Sequence, residues 1–158
     1  MSIEKVKDFF AQYGLDNRIK EFDVSSATVE LAADALKCEP CRIAKSLSFI
    51  VGSKPVLIVA AGDAKVDNQK FKAQFGTKAK MLKPDETVSL IGHAVGGICP
   101  FAVNEGVEVY LDISLKRFNT VFPACGSSNS AIELTILELE KYSSYLAWID
   151  VCKEWNEK

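Results

Sequence analysis

Two apolar runs lying almost end to end, LSFIV from Leu47 to Val51 and PVLIVAA from Pro55 to Ala61, constrain this chain most. Only Gly52, Ser53 and Lys54 separate them. So short a connection between segments rich in β-branched residues predicts a hairpin, and runs this apolar belong at the centre of a sheet. Neither approaches the roughly 18 apolar residues a membrane-spanning helix needs, so no membrane partner is expected.

Helical patterns surround the hairpin. Ile3, Val6, Phe9, Phe10 and Tyr13 recur at helical spacing, with Ser2 as a candidate N-cap and Gly14 where a helix would stop. Thr28 can cap a second helix, VELAADALK. Pro40 begins a turn or short helix leading to Lys45, a polar helix is expected from Asp67 to Phe75, and Pro84 opens another that runs to Ile91. Beyond a glycine-rich loop (Gly92 to Pro100), strands are read at Val107–Asp112, Thr120–Ala124 and Ala131–Thr135. A helix follows from Ile136 to Tyr142, then an apolar stretch near Ala147–Cys152. Hairpin-linked strands mixed with unevenly spaced helices predict an α+β fold, a single domain with a curled mixed β-sheet flanked by helices.

At 158 residues, 48% apolar and 25% charged, with no repeat and no Pro/Ser/Gly-rich linker, the chain reads as one domain spanning 1–158. A domain of about 150 residues buries roughly 68 to 70% of its unfolded surface, enough to fold without a metal or disulfides. The start, MSIEKVKDFFAQYG, carries Glu4 and Asp8 among its apolar residues and lacks the order of a signal peptide. The expected location is the cytoplasm. Five cysteines, an odd number, argue for reduced thiols.

The net charge of −2 excludes a broad basic surface for duplex DNA. A local strip remains: between Ala64 and Lys83 six lysines, Lys65, Lys70, Lys72, Lys78, Lys80 and Lys83, face the single Asp67. It is either a solvated face or a phosphate-binding surface.

The chemistry-bearing candidates are few. Cys38 and Cys41 form a C-x-x-C, but Cys38 follows a helix instead of starting one, so no helix dipole lowers its thiol pKa. With no second C-x-x-C and His93 as the single histidine, a zinc site lacks ligands. No metal or cofactor is expected. The glycine loop around Gly96 and Gly97, closed by Pro100, could turn backbone amides toward one point as a carbonyl or anion cradle, or could be a plain tight turn. The run Cys125-Gly126-Ser127-Ser128-Asn129-Ser130 could bond a small substrate or close a hairpin through local side-chain bonds. Lys45, ahead of the apolar strand, is either a snorkelling end-charge or a phosphate ligand.

Taken together, RIAKSLSFIV, AAGDAKVD, GHAVGGICPFAV and FPACGSSNSAIELT, in that order across nearly the whole chain, resemble the YbaK / prolyl-tRNA synthetase editing-domain family. The resemblance implies a free-standing, trans-acting aminoacyl-tRNA deacylase that hydrolyses the ester of a mischarged tRNA, commonly one for proline carrying Ala, Cys or another small residue. Its partners would be the aminoacylated acceptor end and a prolyl-tRNA synthetase. Lys45 matches the family's key lysine, expected to hold the terminal adenosine phosphate or reacting end. Gly96 to Pro100 matches its G-x-x-x-P loop, which lines the aminoacyl pocket. Relatives often carry Ser where this chain has Cys99, and Lys-Arg-Gly where it has Ser127-Ser128-Asn129.

On that reading Lys45 and the backbone of Gly97, Ile98 and Cys99 are the catalytic candidates. Thr28, Gly96, Pro100, Gly126, Ser127, Ser128 and Asn129 are the substrate-binding ones, and Lys65, Lys70, Lys72 and Lys78 the tRNA-binding ones. An activated ester needs positioning and oxyanion stabilisation more than a triad. Two other classes fit the same residues: a non-catalytic module binding a tRNA end or a synthetase, and a thiol enzyme using Cys99 or Cys38/Cys41.

Overall fold

The computed structural model describes residues 2–155. In chain order the helices are α1 (Ser2–Ala11), α2 (Val29–Leu36), α3 (Asn68–Phe75), α4 (Pro84–Glu86) and α5 (Ile136–Ser143). The strands are β1 (Lys20–Glu21), β2 (Ile43–Val51), β3 (Lys54–Ala61), β4 (Lys65–Val66), β5 (Glu108–Asp112), β6 (Thr120–Pro123), β7 (Ser130–Ala131), β8 (Leu134–Thr135), β9 (Ala147–Ile149) and β10 (Cys152–Lys153). The main sheet has six strands in the order β8-β6-β2-β3-β5-β9. Its pairing is mixed: β2 and β3 are antiparallel, whereas β2–β6, β3–β5 and β5–β9 are parallel. The predicted α+β class and curled mixed sheet are what the chain forms.

The hairpin β2–β3 turns through Gly52 and Ser53, with Gly52 at φ 63° in the left-handed region that glycine adopts without strain. Its strands occupy the two central positions of the sheet. Every residue of β3 from Val56 to Ala61 is buried, because both faces are covered; this is why the run is continuously apolar instead of alternating.

The helices follow their sequence signals with local differences. Thr28 caps α2 by accepting from the Leu31 amide, and Asp67 caps α3 through the amides of Gln69 and Lys70. Ser2 is the first helical residue instead of a cap, and its hydroxyl bonds the Gly126 carbonyl. After α4 the chain widens into a π-helical turn over Thr87–Ile91, closed where the Gly92 amide donates to Thr87.

The strand boundaries were less legible. β2 begins at Ile43, so Lys45 lies within the strand and not ahead of it. The extension comes from antiparallel pairing of Ala44, Lys45 and Ser46 with Ala61, Ala60 and Val59 of β3, and from parallel pairing of Ile43 and Ala44 with Phe122 and Pro123, the second a long-range contact that local pattern does not encode. The single strand read at Ala131–Thr135 is two, β7 pairing β1 and β8 pairing β6. The final apolar stretch likewise divides into β9 beside β5 and β10 beside β4. No helix among the described residues is long and apolar enough to cross a membrane.

Candidate active site

The site originates in an interruption along one edge of β2. One edge is fully paired with β3 from Ala44 to Val51. On the other, β6 pairs only Ile43 and Ala44. The chain after α3 then takes over: Leu82 N–H donates to Ser48 (3.1 Å), and Ile50 N–H donates to Lys80 (2.9 Å). Main-chain groups of successive strand residues point to alternate edges. Ser48 and Ile50 therefore fix the phase: Ser46 directs its N–H and C=O away from β3, into the gap.

A cavity of 340 Å³ opens at this gap, at the small end of ligand pockets. Lys45, Ser46 and Leu47 form its β2 wall, Thr28 stands at the start of α2, and Gly96 and Ile98 come from the glycine loop. Val95 and Met81, both more than half exposed, mark its rim. Adjacent strand residues explain why two elements cover it. Ile43 packs with Ala32, Ala33 and Phe122 under α2, and Ala44 belongs to the main core with Cys99 and Phe101.

Lys45 is half-buried. Its ammonium donates to the carbonyls of Gly62 and Ala64, leaving one N–H uncommitted among the described residues. Burial lowers its pKa, opposed by the nearby negative groups of Asp63 and Glu30. The glycine at 62 has a steric reason: a Cβ there would lie 2.0 Å from the Pro40 carbonyl.

The glycine loop is a tight turn that also offers amides. Gly96 sits at φ 94°, and the Gly97 amide donates to Ala94 (3.0 Å). The Gly97 amide is therefore not a free donor, which corrects the expectation for that residue; the turn itself consumes it. The amides of Ile98 and Cys99 take no backbone partner among the described residues. A Cβ on Gly97 would come within 2.6 Å of the Ser127 nitrogen, so glycine here lets the two loops touch.

Behind the loop, Cys99 is wholly buried and its thiol is pushed up to about 12 by that burial. Its sulfur lies 3.6 Å from His93 Nε2. His93 Nε2 donates to the Phe101 carbonyl (2.7 Å), and Nδ1 is buried without a partner among the described residues. Burial also lowers the His93 pKa. Pro100 is buried beside it. A nucleophilic cysteine needs a lowered pKa, so Cys99 has the wrong electrostatics for the thiol reading. Cys38 and Cys41 are raised by burial as well. No group of three or more metal-ligating side chains occurs among the described residues.

The serine loop lies beside the main cavity and not in its lining. Gly126, Ser127, Ser128 and Asn129 line a separate cavity behind the glycine loop; only the following Ser130 and Ala131 reach the main one. Several of their polar groups bond one another or the 22–26 segment. Ser127 Oγ bonds Asn129 and Ser130, Asn129 Nδ2 donates to Phe22, and Ser128 accepts from the Ser26 amide. Of the strip lysines, Lys70 pairs with Asp150 and Lys65 with Glu154, while Lys72 and Lys78 are exposed.

Sequence reasoning missed Ser46, Leu47, Thr87 and Met81 as cavity residues. Ser46 and Leu47 reach the cavity because β6 stops pairing at Ala44, whereas Met81 comes from the segment that bridges to Phe49 and Thr87 from the π-helical turn. Ser46 carried one signal, its place beside Lys45, and its buried hydroxyl has no partner.

Residues 23–142 match the model of the aminoacyl-tRNA editing domain. The chain belongs to that family. This editing domain is 56% identical over 157 residues to the uncharacterized protein YwhH of Bacillus subtilis (strain 168), covering 99% of this chain and 100% of that protein. It is also 36% identical over 90 residues to the proline–tRNA ligase of Aquifex aeolicus (strain VF5), covering 56% of this chain but 16% of the ligase. Among solved structures, a candidate trans-editing enzyme for prolyl tRNA synthetase superposes with a TM-score of 0.86 at 26% identity, covering 97% of this chain and 98% of that one. The matched segment of the editing domain contains Thr28, Lys45 and both loops, and excludes α1.

Proposed function

We propose that this editing domain is a deacylase that works in trans, hydrolysing the ester of a mischarged tRNA for proline that carries a small amino acid such as alanine or cysteine. The observation that carries the reading is the convergence of the half-buried Lys45 and the Ile98 segment of the glycine loop on one small cavity at the open edge of β2. The uncommitted N–H of Lys45 is available to the phosphate of the terminal adenosine as a point charge. The amides of Ile98 and Cys99 are the loop's donors for the carbonyl oxygen, where charge develops in the transition state. Water adds to the carbonyl carbon, the bond to the ribose oxygen breaks, and that oxygen takes the proton the water loses. Thr28, Gly96 and Pro100 shape the pocket, and the serine loop braces it from behind. Lys72 and Lys78, with Lys65 and Lys70, meet the acceptor-stem phosphates, and a prolyl-tRNA synthetase could deliver the substrate.

A cavity of this size admits small acyl groups more readily than it separates them, since one methylene is worth only about 1 to 3 kcal/mol. The test is deacylation of alanyl-, cysteinyl- and prolyl-tRNA for proline with and without the protein. Acceleration of the small mischarged species above the prolyl one is expected. Binding of all three with no acceleration of any would replace the reading with a non-catalytic module.

A further inference from the structure

The gap in the β2 ladder is one residue long. Along the edge away from β3 the outward-pointing residues are Ala44, Ser46, Ser48 and Ile50. Ala44 lies within the β6 pairing, Ser48 accepts from Leu82, and Ile50 donates to Lys80. Between them Ser46 presents one N–H and one C=O to the cavity, and among the described residues neither takes a backbone partner across the gap. Unsatisfied main-chain groups beside a closed core are costly. Two adjacent ones, a donor and an acceptor, define what would satisfy them: a group offering an acceptor and a donor side by side.

An aminoacyl ester is such a group. Its carbonyl oxygen accepts, its α-ammonium donates, and in the extended conformation both point to the same side, as in any strand residue. Deepening the deacylase reading and resting on it, we infer that the substrate's own aminoacyl residue completes the β2 ladder at Ser46. Its carbonyl accepts from the Ser46 N–H while its ammonium donates to the Ser46 carbonyl, a one-residue form of strand addition. The flanking pairs at Ala44 and Ser48 leave no room for a second residue, so the subsite takes a single amino acid and not a peptide.

Two consequences follow from sheet geometry. The Ser46 N–H touches the oxygen on which charge develops, so it joins the loop amides as a donor to the transition state. Side chains of directly opposed residues share a face, so the acyl side chain projects on the Ser46 side-chain face, beside its unpartnered hydroxyl. A D-residue making the same two bonds would project on the opposite face.

The test uses one tRNA acylated with alanine, with propionate, which lacks the amino group, or with D-alanine. Each enzymatic rate is divided by the spontaneous rate of the same ester, which removes the intrinsic activation by the ammonium. The acceleration should fall at least about tenfold for propionyl and for D-alanyl, the size expected when a buried carbonyl loses its donor or a side chain meets the wrong wall. Equal acceleration of alanyl and propionyl esters would overturn the inference while leaving the deacylase reading standing. If no ester is accelerated, the deacylase reading falls. The non-hydrolysable 3′-amides of alanine and propionate then decide the inference by binding: tighter alanyl binding supports it, and equal binding overturns it.

Discussion

β2 and β3 are two arms of one hairpin, yet they serve opposite ends. β3 is hydrogen-bonded on both edges, antiparallel to β2 and parallel to β5 from Val56 to Val59, and its residues are buried from Val56 onward. β2 is paired on one edge and interrupted on the other, and it carries Lys45, Ser46 and Ser48 inside an otherwise apolar sheet centre. The closed arm gives rigidity. The open arm spends part of that rigidity on main-chain groups and a half-buried cation, directed at a cavity. The candidate site in this fold sits where the ladder stops, beside the strand where the ladder is complete.

A matched pair of truncations breaks or sharpens this contrast most directly. Ile58 and Leu47 face each other in register across the hairpin, but Ile58 is fully buried and Leu47 lines the cavity. Ile58→Ala should lower stability by about 2 to 5 kcal/mol, the usual cost of a core cavity, with the deacylation rate retained below the melting transition. Leu47→Ala should cost only about 1 kcal/mol and should change kcat/KM between acyl groups. Urea unfolding and single-turnover deacylation measure both. Equal stability losses would mean that the two arms do not differ as described.

Lys45→Ala is next in size. Removing the ammonium takes away the charge that the deacylase reading assigns to the phosphate, and it leaves the carbonyls of Gly62 and Ala64 to water. Deacylation should fall at least about 100-fold, near 2.7 kcal/mol, with the circular dichroism spectrum unchanged. Lys45→Arg should not restore it, because a planar guanidinium cannot take the place of a compact ammonium. Near wild-type rates for Lys45→Ala would remove this residue from the site.

The sequence made the closed arm readable and the open one only partly so. A continuous apolar run with a two-residue turn encodes β3 and its partner locally, and Thr28 and Asp67 announce their helices by capping chemistry. Lys45 and the glycine loop, which line one cavity, were singled out through a resemblance and not through spacing. Ser46 was not, because its place at the cavity depends on the loss of β6 pairing after Ala44, a long-range event with no local signature. The place of the serine loop, beside a neighbouring cavity, was not legible for the converse reason. Its composition suits a ligand, but whether hydroxyls face a cavity or one another depends on the packing of Ser2 and Phe22 from the start of the chain.

A smaller effect is expected behind the glycine loop. Burial holds the Cys99 thiol at about 12, so almost no thiolate exists near neutrality, and Cys99→Ser should keep activity within about threefold. Iodoacetamide should leave the rate unchanged. A covalent acyl adduct on Cys99 would replace the water mechanism with a thiol one.

The smallest effect belongs to the lysine strip, and it separates positioning from chemistry. Lys70 is already paired with Asp150, whereas Lys72 and Lys78 are exposed, so Lys70, Lys72 and Lys78 should not contribute equally to tRNA binding. Neutralising all three should weaken tRNA binding without changing which amino acid is removed, because bonds to phosphate set register and not acyl selectivity. The slope of log affinity against log salt should shrink by about 0.7 to 0.9 for each phosphate that is no longer neutralised, and the total should correspond to two phosphates more nearly than three. A Lys70→Gln single variant with an unchanged slope, beside Lys72→Gln and Lys78→Gln variants that each lower it, would assign phosphate binding to the two exposed lysines. An unchanged slope in the triple variant would make the strip a solvated face. The acceptor end would then be held at Lys45 alone, and the open edge of β2 would carry both the binding and the chemistry.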